Sequence, residues 1–224
     1  MEYMKAVAVI GPNDVRVVGD VPKPVPGDYE ALVQIHTCGF CNGTDMQIIS
    51  GSGGDHGNRI SMYPVILGHE GAGEVIAVGK KVRHIHIGER WLHPNFPSDP
   101  GGNYKAAHGS MAQFGLISDN KAMLEDGFPE SAFPWVKQHR FPDTMSFVDA
   151  GVLLPLAESH SAAVNFGVTE GMEVLIYGSG PMGIALSLFC GLLGARVTQI
   201  DKIQERLDRS KQIAKTEVTI NSSS

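Results

Sequence analysis

The chain has few cysteines and no basic runs or long apolar stretches. Its 224 residues include three cysteines, a small odd number that argues against a disulfide framework and leaves thiols for metal binding or burial. Lys and Arg total 18 against 24 Asp and Glu, and no basic run marks a nucleic-acid partner. No stretch is long enough for a membrane span or a signal peptide. We therefore expect a cytoplasmic protein with neither nucleic-acid nor membrane partners.

Turn residues divide the chain into two parts of different character. Up to about residue 145 short strands are punctuated by Gly and Pro, whereas helices and strands alternate from Ser146 onward. Alternation predicts a parallel sheet, so the expected fold class is α/β with a β-rich N-terminal part, divided into residues 1–148 and 149–224. The expected strands are Lys5–Ile10, Asp14–Val18, Glu30–Cys38, Gly73–Val78, Met111–Ile117, Glu173–Tyr177, Arg196–Ile200 and Glu217–Ile220, the helices Ser146–Phe166, Met182–Leu193 and Glu205–Lys215, and the loops Pro22–Asp28, Gly51–Asn58 and His93–Gly109.

The C-terminal part is expected to be half of a doubly wound sheet. The complete fold has two βαβαβ halves, and three strands precede the end of the chain at Asn221–Ser224. We expect the second half to be absent. The first strand, Val174–Tyr177, would then be an exposed apolar edge.

Three glycines follow that strand at the spacing of a dinucleotide-binding turn. Gly178 permits a tight turn, Gly180 lets the backbone approach a pyrophosphate, and Gly183 lets the following helix pack closely on the strand. Pro181 and Met182 lie inside the same turn. Because the helix N-terminus favours an anion, these residues are predicted to bind the cofactor.

An acidic residue ends the second strand of this unit. Asp201 stands about 20 residues past the turn, where a carboxylate accepts hydrogen bonds from an adenosine ribose 2′-OH. Its charge would repel a 2′-phosphate. Lys202 leaves some room for the phosphorylated cofactor, but NAD is predicted over NADP.

Three separated segments of the chain could together hold a metal ion. They are Cys38–Asp45 (CGFCNGTD), Gly68–Glu70 (GHE) and Leu156–Ser161 (LAESHS). A catalytic zinc takes three protein ligands and keeps one position open, so ligands gathered from distant loops suit it better than a closed finger. A single CxxC is ambiguous, since it also occurs in redox pairs and structural zinc sites.

These segments, with the glycine turn, resemble the zinc-dependent medium-chain alcohol and polyol dehydrogenases of the sorbitol and threonine dehydrogenase type. The resemblance covers nearly the whole chain and is carried by Gly68–Val82, Gly109–Phe114 and Phe141–Ala162. It implies a GroES-like catalytic domain followed by a Rossmann domain, partial here. It also implies an oxidoreductase with one catalytic zinc and NAD, acting on a small alcohol or polyol, and a homo-oligomer when complete.

The resemblance also implies roles for individual residues. Cys41 and His69 match zinc ligands, and Glu70 matches the acid that approaches or transiently ligates the metal. Glu158 stands where sorbitol-type members have a glutamate near or on the zinc, so the third ligand remains open between Glu70 and Glu158. A helix-face carboxylate with no metal role is the alternative for Glu158.

Two further residues of the first segment are implied in catalysis. Thr44 matches the hydroxyl that hydrogen-bonds the alcohol oxygen and passes its proton outward. Asp45 matches the carboxylate that holds His69 in one tautomer, although Asp is also common in ordinary turns.

The chain departs from the family pattern in three places. Asn42 and Gly43 both separate Cys41 from Thr44 where one residue is usual, so the turn must bulge or Cys38 becomes a rival ligand; otherwise Cys38 is a small buried hydrophobe. Residues 92–109 contain no cysteine, which excludes a structural zinc lobe of the four-cysteine kind. A frequent relay histidine is replaced by Gln47, so proton exit must use another route.

Two alternative functions remain open. One is a zinc-free quinone or enone reductase of the same superfamily, which would normally lack the Cys41, His69 and Glu158 set. The other is a catalytically silent fragment that binds zinc, because half of the cofactor domain is expected to be missing and turnover would then be poor.

Overall fold

The computed structural model describes residues 2–52, 63–96, 101–106, 108–134 and 137–223. The chain divides into two compact units, Met1–Val152 and Leu153–Ser224, whereas the sequence placed the division after residue 148. Part of the expected loops Gly51–Asn58 and His93–Gly109 lies outside the described residues. No helix in the described ranges is both long enough and apolar enough to cross a membrane.

The first unit contains an antiparallel sheet of five strands. Its strands, in spatial order, are β8 (Phe114–Ser118), β3 (Glu30–Gly39), β5 (Glu70–Val78), β6 (Arg90–Leu92) and β9 (His139–Arg140). Val33 lies opposite Val75, and both are fully buried with Ile117 in one cluster. The consecutive residues Ala31, Leu32 and Val33 of β3 are all buried, so both faces of the strand are covered at this point.

A second sheet and several short helices complete this unit. The sheet has the order β2 (Asp14–Pro22), β1 (Tyr3–Gly11), β4 (Val65–Ile66) and β7 (Lys105–Ala106), and the helices are α1 (Thr44–Ser50), α2 (Asn120–Glu125), a 3₁₀ turn (Glu130–Ala132) and α3 (Phe147–Ala150). Ala8 of β1 and Ile66 of β4 are paired and fully buried. Ile48 of α1 packs against Val65 and Leu67, which fixes α1 beside β4.

The second unit is a parallel sheet of three strands with helices. Its elements are α4 (Leu153–Asn165), β10 (Glu173–Tyr177), α5 (Pro181–Leu192), β11 (Arg196–Asp201), α6 (Gln204–Ile213) and β12 (Val218–Asn221), with strand order β10-β11-β12. Ile176, Val197 and Cys190 form its core with Ala163. Within the described residues β10 pairs with β11 alone, and its Tyr177 is 77% exposed. The expected α/β fold class with a β-rich first part is confirmed.

Two expected elements were wrong. The helix expected over Ser146–Phe166 is two helices, because Pro155 would clash with the carbonyl of Gly151 in a continuous helix and cannot donate its backbone hydrogen bond. The loop expected over His93–Gly109 contains β7, in which Lys105 pairs with Val65.

Candidate metal centre and nucleotide turn

Cys41 is held by hydrogen bonds in the turn between β3 and α1. Its main-chain N–H donates to Asp45 Oδ2 at 2.9 Å, and the N–H of Thr44 donates to Cys41 Sγ at 3.4 Å. An N–H directed at sulfur stabilises the thiolate, the form that binds metal. The two residues between Cys41 and Thr44, Asn42 and Gly43, are exposed, so this turn, longer by one residue than usual, bulges toward solvent.

His69 follows Gly68, whose left-handed backbone conformation is one that glycine adopts readily, just before β5. Gly68 has φ +96°, and a Cβ on it would lie 2.5 Å from the main-chain nitrogen of Met111. Only glycine therefore fits this position. The Nδ1 atom of His69 lies 3.6 Å from Asp45 Oδ1, and its Nε2 atom lies 3.8 Å from Glu70 Oε1.

The carboxylate of Glu70 packs against bare backbone. Glu70 is 8% exposed, and a Cβ on Gly39 would lie 2.2 Å from its Oε2 atom and 2.7 Å from the carbonyl oxygen of Gly151. A glycine at position 39 thus leaves the volume that the carboxylate occupies. This packing fixes the direction in which Glu70 points.

Cys41, His69 and Glu70 form a group of three possible metal ligands, each with a donor atom within 4.8 Å of the other two. Zinc ligands lie about 2.0 to 2.3 Å from the ion, so donors that surround one ion stand about 4.6 Å apart at most. The group needs little movement to meet this limit. Asp45 Oδ1 is buried without a hydrogen-bond partner in the described part of the chain, as expected of an acceptor for His69 Nδ1–H in the metal-bound tautomer. The donor set therefore fits a zinc ion.

Charge and burial act on two titratable groups at this site. Burial acts to lower the pKa of His69, but the facing Asp45 carboxylate and the Cys41 sulfur outweigh it and raise the pKa to about 9. Burial, together with the nearby charges of Asp45 and Glu70, raises the pKa of Cys38 to about 12. Cys38 is therefore a protonated thiol, and it is not a member of the three-residue group.

The structure leaves the predicted role of Glu158 untested and adds one neighbour of His69. Glu158 belongs to the second unit, where it is exposed on α4 next to the buried Ser159, and its role as a ligand stays a prediction. The ring centroid of His108 lies 5.4 Å from that of His69. His108 lies in none of the three predicted metal-binding segments. Its position directly before the segment Gly109–Phe114 was the signal that could have identified it as a neighbour of His69.

The three glycines of the second unit differ in the space around them. Gly178 has φ +96°, and a Cβ on Gly183 would lie 2.0 Å from the carbonyl oxygen of Gly178. A Cβ on Gly180 would have no neighbour within 4 Å. Gly180 is the N-cap of α5, which begins with Pro181, and Met182 is 43% exposed. The first and third glycines are thus required by the turn itself, whereas Gly180 leaves an open surface above it.

Asp201 ends β11 beside this turn. Its Oδ2 atom accepts a hydrogen bond from the N–H of Ser179 at 2.6 Å, and its Oδ1 atom accepts one from the N–H of Ile203 at 2.8 Å. These hydrogen bonds, led by that from Ser179, lower the pKa of Asp201, which is therefore ionised. Each oxygen keeps a further lone pair with which it can accept a ligand hydroxyl.

A cleft of about 430 Å³ adjoins the turn and carries two arginines that the sequence reasoning missed. Arg206 and Arg209 line it together with Gly180. Arg209 is paired with Glu205 at 2.7 Å. Arg206 and Arg209 are spaced i, i+3 on α6, the helix that follows Asp201. This spacing was the signal that could have identified the two arginines.

Comparison with known proteins agrees with this architecture. The alcohol dehydrogenase GroES-like domain matches residues 27–125. Sorbitol dehydrogenase of Bombyx mori is 28% identical over 96% of this chain and 61% of its own length, and that of Homo sapiens is 31% identical over 93% and 58%. The structure of galactitol-1-phosphate dehydrogenase from Escherichia coli superimposes with a TM-score of 0.74 at 25% identity, covering 98% of this chain and 62% of that one.

Residues 27–125 belong to the alcohol dehydrogenase GroES-like domain family. Over nearly its whole length the chain is similar to medium-chain alcohol and polyol dehydrogenases. It spans 58 to 61% of the length of the two sorbitol dehydrogenases.

Proposed function

We propose that the protein containing this chain is a zinc-dependent oxidoreductase that transfers a hydride between a secondary alcohol or polyol and NAD. The observation that carries the proposal is the grouping of Cys41, His69 and Glu70, with donor atoms within 4.8 Å of one another. The sorbitol dehydrogenases among its relatives support a polyol as the substrate class.

The residues of the first unit would hold and tune the metal. A bound zinc supplies a Lewis acid that lowers the pKa of an alcohol hydroxyl. Cys41 and His69 would bind it, with Glu70 or Glu158 as the third ligand. Asp45 would accept the Nδ1–H of His69 and keep Nε2 available for the ion. Thr44 begins α1 beside Cys41. Its hydroxyl would accept the proton of the substrate hydroxyl while its own proton passes outward.

The residues of the second unit would hold the cofactor. NAD supplies the nicotinamide ring that accepts the hydride. The open surface above Gly180, at the N-terminus of α5, would receive the pyrophosphate, and Gly178 and Gly183 would shape the turn beneath it. Asp201 would accept a hydrogen bond from the ribose and repel a 2′-phosphate.

The grouped donors weigh against the zinc-free alternative. A quinone or enone reductase of this superfamily has no use for a thiol, an imidazole and a carboxylate within 4.8 Å of one another, whereas a zinc ion binds all three groups. Zinc binding without turnover, the other alternative, is distinguished by the assay that follows.

NAD reduction by the natural full-length protein tests the proposal. We expect NADH formation with at least one polyol, abolition of the rate by a zinc chelator, and recovery when zinc is restored. Full activity after zinc removal would favour the zinc-free reductase. Bound zinc with no turnover on any secondary alcohol or polyol would favour a silent protein.

A further inference from the structure

A glutamine lies at the centre of the parallel sheet, where apolar residues are the rule. Gln199 is fully buried on β11, between Ile176 of β10 and Thr219 of β12. A carboxamide at such a position costs free energy unless its donor and its acceptor are both bonded.

Both ends of the Gln199 carboxamide are bonded. Its Nε2 atom donates to the carbonyl oxygen of Gly178 at 2.9 Å, and its Oε1 atom accepts from the Ser210 hydroxyl. The hydroxyl of Thr216 lies 2.7 Å from that of Ser210 and 2.6 Å from that of Ser187. These side chains form one buried chain of hydrogen bonds that begins at the nucleotide turn and ends on α5 at Ser187.

Gln199 and Asp201 together hold one peptide of the turn from both sides. Gln199 donates to the carbonyl of the Gly178–Ser179 peptide, and Asp201 accepts from its N–H at 2.6 Å. The two side chains come from one strand, two residues apart, so the plane of this peptide is set by β11. The plane also sets where the following N–H groups at the start of α5 are directed.

We propose that Gln199 is a positioning residue for the nucleotide-binding turn, which it holds in the conformation that accepts the cofactor pyrophosphate. The inference rests on the proposed binding of NAD at this turn. An apolar residue of similar length would fill the same volume in the sheet, so the buried polar network is explained by orientation of the turn rather than by packing. Because the Gly178 carbonyl can only accept, the Nε2 end of the carboxamide faces it and the Oε1 end faces the Ser210 hydroxyl.

Gln199→Met tests the inference, because methionine keeps the length of the side chain and removes the donor to Gly178. Ser187→Ala is the matched control, since it removes a buried hydroxyl from the far end of the same network. We expect both variants to lower the unfolding temperature of the chain. At a temperature well below both transitions, Gln199→Met is expected to weaken NAD binding, measured by calorimetry, by about tenfold, while Ser187→Ala keeps the wild-type affinity.

The outcomes separate this inference from the proposed function. If wild type binds NAD and Gln199→Met binds it equally well, or if Ser187→Ala loses as much affinity, Gln199 is structural and the inference is overturned. A wild-type chain that does not bind NAD overturns the proposed cofactor site, and the inference with it. If Gln199→Met does not fold, Ser210→Ala replaces it, with a smaller affinity loss expected and unchanged affinity as the contradicting result.

Discussion

The imidazole of His69 faces the Asp45 carboxylate, with 3.6 Å between Nδ1 and Oδ1. The other oxygen of Asp45 accepts the main-chain N–H of Cys41 at 2.9 Å. One fully buried carboxylate therefore faces two of the three grouped residues, the main chain of Cys41 and the imidazole of His69. The helix turn that carries Asp45 orients both the thiol and the imidazole.

Asp45→Asn should weaken zinc binding by about 10- to 100-fold, because the amide is a poorer acceptor for Nδ1–H and no longer fixes the His69 tautomer. Competition with a chromogenic chelator measures the affinity. Asp143→Asn, a change at an exposed carboxylate 3.9 Å from Arg140, is the control and should leave the affinity unchanged. Equal zinc affinity in Asp45→Asn and wild type would show that Asp45 is an ordinary turn acid.

Zinc affinity should rise with pH between about 6 and 9. In the metal-free chain the pKa of His69 is raised to about 9, so at neutral pH the imidazole carries a proton that zinc must displace. Each displaced proton changes the apparent affinity by about tenfold per pH unit. A raised pKa also stabilises the metal-free fold fully below the unfolded-state pKa of about 6.5, and this contribution is lost as the pH rises through 9. Titrations with zinc at several pH values would contradict this account if the affinity were flat.

Two glycine substitutions in the nucleotide turn should have opposite effects. Gly180→Ala should preserve the unfolding temperature, because φ is −73° and the added methyl meets no atom within 4 Å, yet it should weaken NAD binding by occupying the pyrophosphate surface. Gly183→Ala should cost about 2 kcal/mol of stability, because its methyl would overlap the Gly178 carbonyl oxygen. Calorimetry of unfolding and of NAD binding measures both effects. Unchanged NAD affinity in Gly180→Ala would exclude this surface as the cofactor site.

The preference for NAD over NADP should depend on Asp201. Asp201→Ser removes the charge that repels a 2′-phosphate while Arg206 and Arg209 continue to line the adjoining cleft. We expect the ratio of NADP to NAD affinity to rise by about tenfold, equivalent to ~1.4 kcal/mol. Lys202→Ala serves as the control, with a ratio that stays at or below that of wild type. Tighter binding of NADP than NAD by the unmodified chain would contradict the role given to Asp201.

The second unit, with its parallel sheet, was the part of the fold that the sequence predicted best. Strand Glu173–Tyr177 was predicted to the residue, and the helices after it to within two residues, because glycines and changes of apolar period mark each boundary. The break at Gly151 was missed because apolar residues continue across it. Two- and three-residue strands such as Val65–Ile66 exist only through their pairing partners and leave no periodic pattern.

The periodicity of apolar residues could not predict that Cys41, His69 and Glu70 lie together. Cys41 and Glu70 are separated by 28 intervening residues, so their proximity depends on the pairing of β3 with β5, in which Gly39 lies opposite Glu70. Resemblance to a family, not spacing, pointed to them. The role of Gln199 was not predicted for a different reason. A single glutamine in a strand belongs to no motif, and only its contacts in the folded chain indicate a role.

The central claim is the metal site at Cys41, His69 and Glu70. Metal analysis of the purified chain and of two cysteine variants tests this claim most directly. Cys38 and Cys41 stand three residues apart, but only Cys41 belongs to the group of donors. We predict about one zinc per chain in wild type and in Cys38→Ser, and loss of the zinc in Cys41→Ser. Zinc retained by Cys41→Ser and lost from Cys38→Ser would contradict the site described.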